Sequence, residues 1–387
     1  MKKYLLFLMM TVFLASFFVA CSDDDDPKPG EEVPTDLTPE EIKTEIANDA
    51  QALLTKMKGL NNSKGLELMS VFANLFEAFN NQETPDYGRK VKKSTGDILL
   101  DSDFYGEYSW DSVNSEWTLS KELADKLVFV LPASSTSMEA GENDGKIEIT
   151  RVDSDVEKDG HKIPKSVNAV LYVNNINVGT IALIATGISL EQAPASVDMK
   201  LTLEAYVLDM NVTKGAESKS TFSFKNGSET LIDGYANLTA DVDGSIKNDD
   251  LVGLGNAAAE VNILGNLSLQ ATGDLGKALK AVQAAEDKWD AVNEWTSAGE
   301  KAYVEEVAAA YNNNLTGKLV SKKDNKNEKF ADAVCRVKEE TYGSYKEYEE
   351  VLAFKFTDES VVDAGVYFGK GFDNVISQWM DFINKFN

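Results

Sequence analysis

In residues 221–232, TFSFKNGSETLI, two runs of strand-forming residues flank the dipeptide Asn226-Gly227. Phe222 and Phe224 alternate with polar residues, which is the period-two pattern of a strand with one buried face. Asn-Gly readily supplies the two positive-φ positions of a tight type I′ turn. The stretch therefore predicts an antiparallel β-hairpin whose loop residues are Asn226 and Gly227.

The same alternation extends outward from this hairpin, over residues 97–270. Residues 197–207 carry Val, Met, Leu, Leu, Ala and Val on one face, with Asp198, Lys200 and other polar residues on the second. Residues 178–186 are apolar on both faces, as in a central strand. Because no pattern of helix length interrupts this region, we predict a long antiparallel meander. A sheet with strands this long must twist and should curve.

Helical spacing precedes the sheet. Thr38 can cap a first helix, with Pro39 in its first turn and Glu41 completing a capping box. After a short break, Ser63 can cap a second helix. The apolar stripes of the two helices are Ile42, Ile46, Ala50, Leu53, Met57 and Leu60, and Leu66, Met69, Phe72, Phe76 and Phe79. The two segments predict an N-terminal αα-hairpin that buries its stripes on another element.

Helical spacing returns after Asp274, a candidate cap, and again over residues 364–385, where the stripe is rich in aromatic residues. Helices, a long antiparallel sheet and further helices indicate an α+β fold with the C-terminal helices packed on the sheet. We predict a single domain over residues 37–387. The alternative is a separate C-terminal unit that begins near residue 271.

The N-terminus has the composition of an export signal. Lys2 and Lys3 precede an apolar run from Tyr4 to Val19, and Cys21 follows directly after Ala20. The run is shorter than the roughly 20 residues that a membrane-spanning helix needs. Residues 1–20 are therefore predicted to be a cleaved signal peptide. A plain N-terminal membrane anchor, or a cleaved signal beside an incidental cysteine, is the alternative.

Phe18-Val19-Ala20-Cys21 resembles a bacterial lipobox, although Phe18 stands where leucine is usual. The resemblance implies a lipoprotein whose Cys21 carries acyl chains such as palmitate in the outer membrane. The next five residues resemble the export signal of surface-exposed lipoproteins of Bacteroidota. They are Ser22, Asp23, Asp24, Asp25 and Asp26. This second resemblance implies display on the cell exterior; the alternative is a merely solvated acidic tether.

Residues 21–36 as a whole predict a lipidated tether, because prolines among acidic residues form a stiff polar spacer. In the body, residues 167–174, residues 178–186 and the Asn226-Gly227 hairpin resemble a run in uncharacterised Bacteroidota lipoproteins. That resemblance implies membership of such a lipoprotein family and carries no catalytic motif.

Charge and residue counts exclude several classes of function. The formal net charge is −26, and loss of Lys2 and Lys3 with the signal peptide makes it −28. Nucleic acids are poor partners for such a chain, because binding them rests on Lys and Arg. His161 is the single histidine, which excludes Ser-His-Asp and Cys-His catalysis unless His161 itself takes part. With Cys21 lipidated, Cys335 has no cysteine to pair with, and no zinc site or other cofactor site is predicted.

Four aromatic residues gather on one predicted hairpin: Tyr105, Tyr108, Trp110 and Trp117. Tyr108 and Trp110 share a face, and Trp117 lies on the partner strand. Flat rings of this kind can form a stacking platform for a sugar or an apolar ligand, but they are equally suited to core packing, the favoured alternative. In the turn between the strands, residues 111–113 resemble the short acceptor of O-linked sugar in exported Bacteroidota proteins, which implies Ser112 as a glycosylation site.

Acidic residues suggest two further chemistries, neither with a specific motif. Asp241-Val242-Asp243-Gly244-Ser245 invites a calcium interpretation, but Ile246 and Val252 stand where an EF-hand loop needs glycine and glutamate. An acidic turn is therefore favoured, and no metal site is predicted. A glycoside hydrolase needs two carboxylates facing each other across a cleft. Sixty-four Asp and Glu residues make such a pair impossible to identify from the sequence.

Three functions remain open. We expect a non-catalytic binding or structural protein, anchored by lipid on Cys21, whose partner is a glycan, a protein or another envelope component. The second interpretation is a carrier of a lipid or another apolar molecule, held between the curved sheet and its helices. The third is a carboxylate-based hydrolase. An open groove favours the first function, an enclosed apolar cavity the second, and a cleft with facing carboxylates the third.

Overall fold

A computed structural model describes residues 33–81, 104–158, 160–190, 192–240, 254–291, 296–342 and 345–368. The predicted signal peptide, Cys21 and the acidic segment after it lie outside these residues. So do residues 241–253, which contain the acidic turn, and most of the predicted final helix. Residues 364–368 are helical.

The other α-helices of the described residues are α1 (Pro39–Met57), α2 (Lys64–Asn81), α3 (Ser135–Ala140), α4 (Leu275–Asp290) and α5 (Ser297–Asn312). Three of these five helices, α1, α2 and α4, begin directly after the caps predicted for them. The capping box is confirmed: the Glu41 backbone N–H donates to Thr38 Oγ1, and the Thr38 N–H donates to the Glu41 carboxylate (2.8 Å). Asp274 Oδ1 accepts from the Lys277 N–H (2.9 Å), which confirms that cap too.

One sheet contains all the described strands. They are β1 (Val33–Pro34), β2 (Gly106–Asp111), β3 (Glu116–Glu122), β4 (Lys126–Leu131), β5 (Gly145–Lys158), β6 (His161–Val173), β7 (Ile176–Thr186), β8 (Ser196–Leu203), β9 (Tyr206–Thr213), β10 (Glu217–Asn226), β11 (Glu229–Ala240), β12 (Leu254–Ile263), β13 (Leu267–Asp274), β14 (Leu315–Ser321), β15 (Glu328–Tyr342), β16 (Tyr345–Lys355) and β17 (Val361–Asp363). From β4 to β16 each strand pairs antiparallel with the next. The fold is therefore mixed α+β around one large sheet.

The ends of the sheet depart from this simple order. Strand β2 lies between β3, its antiparallel partner, and β4, with which it runs parallel. Strand β1 pairs parallel with the start of β15, so the chain enters the sheet within residues 21–36, before the predicted end of the tether. Strand β13 pairs with both β12 and β14, and the sheet thus continues through residue 271.

The structure corrects the loop of the hairpin over residues 221–232. Asn226 is the last residue of β10 and pairs with Glu229, so the loop residues are Gly227 and Ser228. Gly227 has φ of 58°, a left-handed value that glycine adopts without steric cost. A register shift between Phe224 and Lys225 displaces the pairing, and Asn226 Nδ2 donates to the Lys56 carbonyl of α1 (3.2 Å). The prediction of Asn226 as a loop residue is therefore wrong.

The sheet has two distinct faces. Its apolar face packs against α1 and α2, where Phe72 of α2 meets Phe129 of β4 with ring centroids 5.0 Å apart. Ile42 and Ile46 of α1 pack against aromatic residues of β15 and β16. Burial of such side chains is the main favourable term in folding. The second face, which we call the polar face, carries the groove described below.

Candidate binding groove

The aromatic residues predicted as a platform lie mainly in the core. Trp110 and Trp117 are buried, and their rings meet edge to face 5.5 Å apart. Trp117 Nε1 donates to the Leu75 carbonyl of α2 (3.0 Å). Tyr108 is half-buried and stacks on Phe129. The two tryptophans therefore present no open face to a ligand, and their arrangement is that of the core-packing alternative.

Ser112 lies exposed in the turn between β2 and β3. Asp111 holds this turn, because its carboxylate accepts from the backbone N–H groups of Val113 (2.9 Å) and Asn114 (3.2 Å). It also accepts from the Asn114 side chain (2.8 Å). These hydrogen bonds lower the pKa of Asp111, and the one from the Asn114 side chain has the largest effect. Ser112 is thus an exposed turn residue, and its hydroxyl oxygen lies beside Gly141 at the end of α3.

His161 and Cys335, the two residues considered for nucleophilic chemistry, lie on strands that do not pair with each other. His161 is exposed at the turn between β5 and β6. Cys335 lies in β15, where burial raises the pKa of its thiol to about 12 and the nearby Glu350 carboxylate adds to the shift. The thiolate is the reactive form of cysteine, so this site disfavours a nucleophile. In the described part of the chain, no three His, Cys, Asp or Glu side chains lie together as metal ligands would.

The polar face of β7–β11 forms an open groove with a volume of about 650 Å³. Two rows of side chains line it, and each row runs across the five strands. The Lys200 row consists of Ala182, Lys200, Asp209, Ser223 and Asp233. The Asn211 row consists of Ile184, Asp198, Asn211, Thr221 and Tyr235. Neighbouring strands lie about 4.8 Å apart, so each row is about 19 Å long.

Strand alternation explains why these rows share one face. Residues two apart on a strand point to the same side, so the rows lie about 7 Å apart along the strands. The side chains of the residues between the two rows point to the opposite face of the sheet. Met199, Met210 and Phe222 accordingly pack in an apolar cluster on that face. That cluster supports the groove from behind.

The Lys200 row contains paired charges. Lys200 Nζ lies 3.6 Å from Asp209 Oδ1 on the next strand. Asp233 Oδ2 accepts from Asn262 Nδ2 of β12 (3.2 Å), which lies just beyond the groove. Across the two rows, three carboxylates (Asp198, Asp209, Asp233) stand against one ammonium group, so the groove is acidic.

The Asn211 row joins amide, hydroxyl and aromatic groups. Asn211 Nδ2 donates to Asp198 Oδ1 (2.6 Å), and Asn211 Oδ1 accepts from Thr213 Oγ1 (3.2 Å). At one end lies Tyr235, whose side chain is 38% exposed, and at the other lies Ile184, 49% exposed. Partial burial raises the pKa of Tyr235, and the Glu260 carboxylate adds to the shift by its charge and a hydrogen bond. The Tyr235 hydroxyl thus donates to Glu260, and its oxygen can accept a hydrogen bond from a ligand.

The sequence predicts only part of this groove. The alternation in residues 197–207 predicts that Asp198 and Lys200 share a polar face. Asn211, Ser223 and Tyr235 were not predicted as site residues, and nothing in their local sequence separates them from other polar strand residues. The pairing register alone brings them into two rows. Glu204, predicted on the same face as Asp198, instead lies in the β8–β9 turn with φ of 48°.

Comparison with known proteins adds little to this geometry. No protein-family model matches the chain, and no curated protein matches it. Among solved structures, the chain is similar to the crystal structure of a porin-like protein from Bacteroides vulgatus, with 8% sequence identity and a TM-score of 0.21. The match covers 55% of this chain and 93% of that one. Of the helices in the described residues, none has the length and apolar character needed to cross a bilayer.

Proposed function

We propose that the chain is a non-catalytic binding protein of the cell surface, and that the groove on β7–β11 is its ligand site. The observation that carries the proposal is the alignment of ten groove side chains in two rows on rigid strands. A site on paired strands holds its donors and acceptors in fixed positions, which reduces the ordering cost of binding.

The carrier interpretation has less support from the geometry. An apolar carrier needs space between the sheet and its helices, and aromatic side chains fill the part of this layer beneath α2. Phe72 and Phe129 are almost fully buried there, and both rings lie within 6 Å of Phe76. The groove, by contrast, is open and has charged and hydroxyl groups along both rows. Its walls expose more apolar than polar surface between these groups, so they suit a ligand that has both apolar faces and hydrogen-bonding groups.

The anchor belongs to the same proposal. We place acyl chains on Cys21 and assign Ser22, Asp23, Asp24, Asp25 and Asp26 to export, because the motif and the acidic run adjoin. Strand β1 begins at Val33, so 11 residues lie between it and Cys21. At about 3.3–3.6 Å per residue, this segment reaches at most about 40 Å from the membrane.

Two variants test the anchor and the display separately. Cys21→Ala should release the protein from the membrane fraction of its host, because two acyl chains are what hold it there. Replacement of Asp23–Asp26 by alanine should leave the protein in the membrane but inaccessible to protease added to intact cells. Retention of Cys21→Ala in the membrane would overturn the lipid anchor. Unchanged protease access in the second variant would remove the export role.

We also propose that residues 37–387 form one domain and that a final helix over 364–385 packs on the sheet. Support comes from the described start of this segment, where Ala364 is buried and Tyr367 lies 6.3 Å from Phe354 of β16 between ring centroids. A chain shortened after residue 368 should then unfold at lower urea concentration than the full chain. An unchanged midpoint would contradict the packing.

Ser112 is the proposed site of an O-linked sugar. An exposed serine in a tight turn is accessible to a transferase, and this turn joins β2 and β3, which do not line the groove. Intact-mass measurement of protein from its own host should show added hexose mass that Ser112→Ala removes. Equal masses, apart from the one substitution, would overturn the assignment.

The ligand site is tested on protein purified gently from its own host. Mass spectrometry of molecules released by denaturation distinguishes the first two functions. A stoichiometric lipid would favour the carrier, whereas a polar compound whose recovery falls in Tyr235→Ala would support the groove. Recovery of the compound at wild-type yield from Tyr235→Ala would count against the groove as the site.

A further inference from the structure

We infer that the groove binds a neutral oligosaccharide whose chain runs across the strands, along the two rows. The inference rests on the proposed binding function and specifies the ligand of the same site. Three properties of the groove carry it: its hydrogen-bonding groups, its charge and its length.

The hydrogen-bonding groups match those of sugar hydroxyls. A hydroxyl both donates and accepts, so it fits a surface where donors and acceptors alternate. The groove offers this alternation, with the Asn211 amide, the Thr221 and Ser223 hydroxyls and the Tyr235 phenol beside carboxylates. Each carboxylate has about four lone-pair sites. The hydrogen bond from Asn211 Nδ2 to Asp198 engages one oxygen and orients the carboxylate.

The charge of the groove selects against acidic glycans. Three carboxylates against one ammonium group repel uronates, sulfated sugars and phosphates, and the chain as a whole carries −26. A neutral sugar meets no such repulsion. The apolar parts of the groove, at Ile184 and the exposed Tyr235 ring, suit the C–H faces of a pyranose.

The length of the rows indicates more than one sugar. A row of about 19 Å across five strands exceeds the span of a monosaccharide. Side chains recur at each strand, so an extended chain meets a new pair of polar groups at each step. We therefore expect affinity to rise with chain length until the oligosaccharide fills the groove.

The test uses the purified full-length protein with starch, xylan and galactomannan as neutral probes. Pectin serves as the acidic probe and chitosan as the cationic one. Native gels cast with each polysaccharide should show retardation by at least one neutral probe and none by pectin. Calorimetry with oligosaccharides of that probe should then show affinity rising with length.

Variants in the groove assign the binding to this site. Tyr235→Ala should weaken binding about tenfold, since the ring supplies a flat contact surface. Tyr235→Phe keeps the ring and should lose less affinity. Asn211→Ala should also weaken binding, because it removes the amide and the support of Asp198. The matched control is Asn237→Ala, two residues beyond Tyr235 on β11 and outside the groove, which should bind as the wild type does.

Other results overturn the inference and show what remains of the proposed function. Retardation by chitosan or pectin alone, with loss in Tyr235→Ala, would keep a binding groove and change its ligand class. Neutral-glycan binding that Tyr235→Ala and Asn211→Ala leave unchanged would move the site elsewhere. Shortened oligosaccharides in the calorimetry sample would replace non-catalytic binding by hydrolysis. Absence of retardation by any probe, together with no compound recovered from the host protein, would overturn both proposals.

Discussion

Ser63 Oγ donates a hydrogen bond to Glu204 Oε2 over 2.5 Å, although 141 residues separate the two in sequence. The second oxygen of Glu204 accepts from the Gly65 backbone N–H (3.2 Å), and Ser63 Oγ itself accepts from the Leu66 N–H (3.1 Å). A carboxylate from the β8–β9 turn thus satisfies the first turn of α2. Negative charge at a helix N-terminus is stabilising. This contact therefore joins the start of α2 to the turn between strands β8 and β9.

Glu204→Ala should therefore lower the free energy of unfolding by about 1–2 kcal/mol, because it leaves N-terminal groups of α2 without their acceptor. Urea unfolding followed by circular dichroism measures the change. Glu217→Ala is the matched control, since it removes a carboxylate from an exposed ion pair with Lys219 (3.5 Å). The control should cost no more than about 0.5 kcal/mol. Equal losses in both variants would show that Glu204 contributes nothing as a cap.

Trp117 should stabilise the protein through its indole N–H as well as its ring. Trp117→Phe retains an aromatic ring beside Trp110 and Phe129 but removes the hydrogen bond to the Leu75 carbonyl. We expect a loss of about 1–3 kcal/mol, from the missing bond and the smaller ring. Leu119→Ala on the same strand is the control, because Leu119 is half-exposed and should change stability little. If Trp117→Phe is as stable as the control, the indole hydrogen bond and the larger ring contribute nothing to the free energy of unfolding.

Asp49 joins α1 to two turns of the sheet. Although nearly buried, it accepts from Asn266 Nδ2 (3.0 Å) and forms an ion pair with Lys323 Nζ (3.2 Å). Asp49→Ala should cost about 1–3 kcal/mol, because it leaves the Asn266 amide without its acceptor and Lys323 with Glu45 alone (3.0 Å).

Asp49→Asn separates these two contributions, since an amide oxygen can still accept from Asn266 while the ion pair is lost. We expect the urea midpoint of Asp49→Asn to lie between those of the wild type and Asp49→Ala. If Asp49→Asn and Asp49→Ala are equally destabilised, the ion pair alone carries the effect, and the Asn266 contact is unimportant.

Sequence patterns predict the elements of this fold because the determining interactions are local. The Thr38–Glu41 box and the Asp274 cap each lie within four residues, and alternation predicts which face of residues 197–203 is buried. It fails for Ala205 and Val207, because the chain turns at Glu204 and Val207 pairs with Thr202 on the polar face. The groove depends instead on register between five strands. Asn211 and Tyr235 lie in one row only through pairing with Thr221, and such pairing has no local sequence signal. The choice between platform and core for Trp117 depended on α2, which is distant in sequence.

The β10–β11 loop shows the same limit and offers a test of it. Asn226 is paired and bonded to the Lys56 carbonyl, so Asn226→Gly should cost about 1 kcal/mol from the lost bond and added chain freedom. Gly227→Ala should cost about as much, because alanine at φ of 58° is strained. Urea unfolding of both variants checks this. In a loop with Asn226 at positive φ, Asn226→Gly would be neutral or stabilising, and that result would restore the sequence-based turn.

Alkaline pH should weaken the protein through two partly buried groups, Tyr311 of α5 and Cys335 of β15. Burial raises the pKa of Tyr311 to about 12, with Glu350 adding to the shift, and it raises that of Cys335 to about 12. Unfolded tyrosine and cysteine titrate near pH 10 and 8.5. Both groups favour the folded state while neutral, so stability is constant with respect to them below about pH 8 and falls as pH rises toward 12.

Melting temperatures of the wild type and Tyr311→Phe between pH 8 and 11 measure this effect. The wild type should lose more than the variant above pH 10, because phenylalanine has no proton to release. If the melting temperatures of both proteins fall in parallel with pH, Tyr311 does not contribute to the loss of stability at alkaline pH. Iodoacetamide tests Cys335 independently: the thiol should react slowly at pH 8 in the folded protein and rapidly in urea, since only the thiolate is nucleophilic. Rapid labelling of the folded protein would show instead that the β15 strand opens under α5.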